Sequence, residues 1–118
     1  MSVRRILGLP LLAVALGLAA CGGQAYPPAD TTPTKTAISA AEAVNAPSVP
    51  QAALHLKMAK DQLTTAESLL ADGENDEAYL VLERARADAE LSMALAKEAG
   101  MRAQAAEAIQ KINKLTEQ

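Results

Sequence analysis

The spacing of apolar residues changes character twice along the chain. From Ile6 to Leu18 they form one almost unbroken stretch, interrupted by Gly8, Pro10 and Gly17. From residue 22 to residue 50 no period is visible. Gly22-Gly23, Pro27-Pro28, a Thr-rich stretch around Pro33, then Pro47 and Pro50 read as a flexible linker. From Ser48 onward a helical pattern takes over. Ala52, Leu56, Ala59, Leu63, Ala66 and Leu70 recur at alternating steps of four and three, which lays one apolar stripe along one helix face. Ser48 is the expected N-cap, with Val49 and Pro50 in the first turn. Asp72-Gly73 ends this helix, Gly73 suiting the left-handed position just beyond it.

Glu74 to Glu77 then opens a second helix, where the helix dipole favours acidic residues and Asn75 or Asp76 can cap. Its seam is Ala78, Leu82, Ala85, Ala89, Ser92, Ala96, Ala99, Ala103 and Ala106, again in steps of four and three. Two alanine-rich seams joined by a short turn should pair antiparallel, the alanines permitting close approach and the leucines filling gaps. The expected fold is therefore all-α: a coiled-coil-like antiparallel helical hairpin over residues 48–118, with a long second helix, behind a disordered tether. The helices are unequal. Residues 49–72 make about 36 Å of helix and residues 76–117 about 63 Å. Ile109, Ile112 and Leu115 then lie beyond the reach of the first helix. Either Gly100 breaks the helix and residues 101–117 fold back, or the overhang pairs with another chain. Gly100 alone costs only about 1 kcal/mol inside a helix, and neither proline nor a cap signal surrounds it, so a continuous or gently kinked second helix is expected.

The first twenty residues change the picture from a free hairpin to an exported one. Arg4 and Arg5, an apolar stretch and small residues make the three parts of an export signal, too short for a comfortable bilayer span of about 20 residues. Leu18-Ala19-Ala20-Cys21 resembles the lipobox of bacterial lipoproteins. That resemblance implies cleavage between Ala20 and Cys21 and lipidation of the Cys21 thiol, with residues 1–20 as the signal peptide. Two or three acyl chains would hold the protein stably on a membrane in the cell envelope. Gly22 stands where some such proteins carry an inner-membrane retention aspartate, so the resemblance favours the outer membrane, facing the periplasm. Residues 21–47 would then be the tether, on average about 27 Å long and up to about 85 Å when extended. Ser39-Ala-Ala-Glu42 matches a capping box and allows a short helix from about residue 40 to 45, stopped before Pro47.

Composition narrows the function classes. Of 11 Lys and Arg, Arg4 and Arg5 lie in the leader, leaving 9 against 14 acidic residues, a net of −5 for the mature chain. The charges are interspersed, with no basic stripe and no aromatic platform, so nucleic acid is not an expected partner. One cysteine excludes an intrachain disulfide or a cysteine-based zinc cluster. His55 is the only histidine and has no ligating companion in sequence, which reads as a surface or rim residue, with no metal expected. The acidic pairs at Glu74, Asp76 and Glu77 are helix-start residues and not an acid–base site. With no Ser/His/Asp set and no Gly-rich phosphate loop, neither catalysis nor a cofactor is expected. Tyr79, the one aromatic of the hairpin, reads first as packing at the turn and otherwise as a candidate partner contact, beside Ile109, Ile112 and Leu115 on the overhang. Met58, Met93 and Met101 read as core or rim filler.

Two family resemblances follow. Gly73, Ala78 and Ala85, with the acidic run between them, resemble the turn and second helix of a tetratricopeptide repeat, but in one copy where about three are needed to stack. The fuller resemblance is to an uncharacterised family of short, alanine-rich helical-hairpin bacterial lipoproteins. It is carried by the lipobox, the Pro-rich spacer, Ala46-Pro47, Leu63, Ala66, Gly73, Glu77-Ala78 and the run of Ala, Glu and Leu after Arg86. Members often occur beside OmpA-like envelope proteins, which implies a place near peptidoglycan or the outer membrane. The expected function is a structural or interaction module that binds itself or another envelope protein. A small ligand-binding or peptidoglycan-associated lipoprotein is the alternative. Because the chain closes on Lys114-Leu-Thr-Glu-Gln118 and not on lysine, wall contact would be non-covalent.

Overall fold

The computed structural model describes residues 25–117, and these contain three helices: α1 (Thr32–Ala43), α2 (Pro50–Ala71) and α3 (Asn75–Thr116). A short 3-10 turn, Ala46–Ser48, joins α1 to α2. Ala20, Cys21 and the rest of the leader lie outside the described residues.

The α2–α3 hairpin forms as the seams require. Its buried residues are Ala52, Leu56, Ala59 and Ala66 on α2, facing Ala78, Leu82, Ala85, Ala89, Ser92 and Ala96 on α3. Alanine on both sides brings the two backbones close, and Ser92 profits from it: its hydroxyl donates to the Ala52 carbonyl at 2.7 Å. The turn is three residues long. Gly73 sits at φ +83 and its N–H donates to Leu70 O, while Glu74 N donates to Leu69 O at 2.9 Å. Those two bonds satisfy the last carbonyls of α2 and aim the chain back along it. Asp76 and Glu77 then fill the first turn of α3. α3 runs for 42 residues without a break at Gly100, so no third helix folds back there.

The stretch expected to be a tether is corrected by α1. Twelve of its residues form a helix that docks on the hairpin, with Thr34, Ile38 and Ala41 buried at steps of four and three. Pro33 occupies the first turn, where its missing N–H costs nothing. Asp30 supports the start: its carboxylate accepts from Thr32 N–H at 2.8 Å, a bond to the ionised form that holds its pKa below the ordinary carboxylate value. The Thr34 hydroxyl donates to Leu82 O of α3 at 3.1 Å. Lys35 reaches Glu67 at 2.8 Å and Glu42 meets Lys60, both on α2. Those partners show that α1 runs antiparallel to α2 and parallel to α3.

The capping box at Ser39–Glu42 therefore starts nothing; Ser39 lies inside α1. Asn45, at φ +63, ends the helix in the left-handed conformation that asparagine tolerates better than most residues. Its carboxamide oxygen accepts from the Ser48 hydroxyl at 2.8 Å. Ser48 is consequently spent on the turn, and the N-cap of α2 is Val49, held extended as the residue before Pro50.

Candidate interaction surface

The body ends before α3 does. Ala96 is the last buried residue of α3 and Ala99 is half-buried, whereas every residue from 101 to 116 is exposed. That is about 24 Å of single helix without a neighbour. Alanines at 103, 105, 106 and 108 supply helix propensity there. Arg102 pairs with Glu98 one turn back at 2.6 Å, and Lys114 stands in the last turn where the dipole favours a cation. Ile109, Ile112 and Leu115 are 58%, 59% and 73% exposed, and with Met101 and Leu54 they are the most exposed large apolar side chains among the described residues.

These residues are not an isolated patch. Met101, Ala105, Ala108, Ile112 and Leu115 continue a set of positions with alternating steps of four and three that begins at Leu80. It passes through Arg84, Ala87, Leu91, Ala94 and Glu98, and every member is exposed. From Leu80 to Ala108 each member lies two residues after a seam residue, roughly 200° around the helix, and Ile112 and Leu115 keep the same spacing, so the set runs down the back of α3, away from α2. Of the contacts expected on the overhang, Ile112 and Leu115 lie at the tip of this stripe and Ile109 beside it, and Leu80 and Leu91 were not among them. The signal was present in the same four-and-three spacing offset by two, but alanine at so many positions hides one stripe behind another.

Tyr79, a candidate partner contact, already has a partner. Its ring stacks on Tyr26 with centroids 5.3 Å apart and planes inclined by 26°, which ties the segment before α1 to the hairpin turn. His55 is less bland than its sequence context indicated. Its Nδ1 lies 2.9 Å from Asp88 Oδ1, and Gln62 Nε2 donates to Asp88 Oδ2 at 2.9 Å, joining α2 to α3 by a half-buried polar cluster. Gln62 Oε1 is buried without a partner among the described residues. At the root of the overhang, Val49, Pro50, Leu95, Ala99 and Arg102 border an open groove of about 270 Å³. No set of three metal-ligating side chains gathers among the described residues.

Residues 24–108 match the family model of a domain of unknown function. No curated protein and no solved structure matches the chain. The matched stretch takes in α1, α2 and most of α3, and Ile109, Ile112 and Leu115 fall after it.

Proposed function

The chain belongs to the DUF4398 family, whose function is unknown, and we propose that it is a lipid-anchored envelope lipoprotein acting as a structural or protein-interaction module. The observation that carries this reading is the unpartnered length of α3: a helix with apolar residues on two faces, only one of which is covered by its own chain. Exposing Leu80, Leu91, Met101, Ile109, Ile112 and Leu115 together is costly for a protein that meets only water.

The lipobox-like Leu18-Ala-Ala-Cys21 supports membrane attachment through acyl chains, and no helix among the described residues is long and apolar enough to cross a bilayer. With α1 docked, the link from Cys21 to Ala25 is about 14 Å at most, not the 85 Å of a free tether. Tyr26 then brings the hairpin turn close to the headgroups, and the tip of α3 is its far end.

The test is Cys21→Ser in the producing cell. We expect the parent to take up a labelled fatty acid and enter the detergent phase, and the variant to remain as unprocessed precursor without label. Equal labelling and partitioning of the two would remove the anchor from this reading. Photoreactive residues at 109 and 112 probe the module itself, because a defined adduct names the partner.

A further inference from the structure

We infer that the back of α3 is a self-association surface, and that two copies of this chain pair through it antiparallel. The inference deepens the interaction reading above and rests on it, in that it names the partner.

The geometry supplies the surface. Leu80, Ala87, Leu91, Ala94, Met101, Ala105, Ala108, Ile112 and Leu115 keep the four-and-three spacing of a coiled-coil seam over about 53 Å, and all are exposed. The same alternation of alanine with larger residues builds the chain's own hairpin, so the back of α3 is suited to the same close packing. Only Arg84 and Glu98 interrupt it.

Charge chooses the occupant and its direction. Residues 76–90 of α3 carry five acidic and two basic side chains, and residues 97–114 carry four basic and two acidic. Two parallel copies would set acidic half against acidic half and basic against basic. In particular, the flanking Lys97 would face Arg102 of its partner. Two antiparallel copies set each acidic half against a basic one. One register pairs the large apolar positions with one another and Glu83 with Lys111, leaving Lys97 beside Lys97 of the second copy at the two-fold axis and Leu115 opposite Glu77. It places Leu80 opposite Ile112 of the second copy, Ala87 opposite Ala105 and Leu91 opposite Met101. On its flanks Glu83 faces Lys111 and Val81 faces Ile109. Arg84 and Glu98 each fall opposite an alanine, Ala108 and Ala94, over which a long side chain can run to water. Each of these contacts occurs twice by symmetry. The two hairpin turns then lie at opposite ends of the rod. With a link of only about 14 Å at each end, both copies reach one bilayer when the rod lies along it.

The test uses the full chain in its own membranes. One tagged copy carries Leu80→Cys and a differently tagged copy carries Ile112→Cys, and a short bismaleimide is added. The expected product is the mixed adduct, at least tenfold over the Leu80→Cys self-adduct. Leu91→Asp should cut its yield at least tenfold while leaving the helical circular dichroism of the purified protein unchanged, since Leu91 is exposed. Lys111→Glu should weaken it several-fold, and adding Glu83→Lys should restore it. A predominant Leu80→Cys self-adduct, an adduct only to a different protein, or no dimer-sized product would each overturn the antiparallel pair. The parent, whose single thiol is Cys21, is the control for the anchor. If it cross-links by itself, Cys21 is free and the lipoprotein reading fails independently.

Discussion

Ser92 is fully buried between α3 and α2, and its hydroxyl donates to a carbonyl of the facing helix. Serine serves here because it is small enough for the approach that the neighbouring alanines set and can satisfy its own polarity across it. Ser92→Ala should lower unfolding stability by about 1 kcal/mol, the usual net value of such a bond. Ser92→Leu should cost about 1–3 kcal/mol by forcing the helices apart. Urea denaturation checks both, and a stabilising leucine would show that the backbones are not in close contact. Gly100 is the opposite case. A methyl group added there meets nothing within 4 Å, and the residue is helical. Gly100→Ala should therefore raise stability by about 0.5–1 kcal/mol and increase helicity. A loss of helicity on circular dichroism would mean that the helix needs a flexible point there. Sequence reading placed Ser92 in the seam but had no means to see its acceptor, which depends on the register between two helices.

Among the elements, α1 separates what the sequence shows from what it hides. The α3 seam was legible residue by residue from Ala78 to Ala96, because leucine and alanine at fixed steps leave one reading. α1 was not. Its threonines and Pro33 have linker composition, and threonine is a poor helix former until a hydroxyl finds a carbonyl, as Thr34 does on α3. The spacing of Thr34, Ile38 and Ala41 was the available signal, and it is too short to stand out from chance. Ile38 is the one large side chain that α1 buries fully. Ile38→Ala should cost about 2–4 kcal/mol of α1 docking and expose residues 25–49 to protease, with the hairpin still helical. Amide hydrogen exchange resolves the two outcomes: protection should drop in α1 first and in α2 and α3 little. Uniform loss across all three helices would mean that the hairpin does not stand without α1.

At the scale of the whole molecule the core is thin, with Leu56, Leu82 and Ile38 as its only large buried aliphatics among the described residues. Leu63 adds partial cover to the same cluster from α2. Leu63→Asp should cost about 2–4 kcal/mol, less than a fully buried charge because the site is half open. The melting curve should shift with it, and an unchanged curve would take Leu63 out of the core. The antiparallel course of α2 and α3 gives the molecule a mechanical property. The described chain begins at the hairpin turn, where Tyr26 meets Tyr79, and α1 runs parallel to α3 from there. Tension between the two described ends, residue 25 and the tip of α3, therefore pulls α1 and α3 past each other along their lengths. Every contact between them is loaded together, and none is peeled open ahead of the rest. A chain entering at the other end of α1 would unzip one contact at a time. Whatever holds either end, this molecule resists being drawn out as a shear joint does.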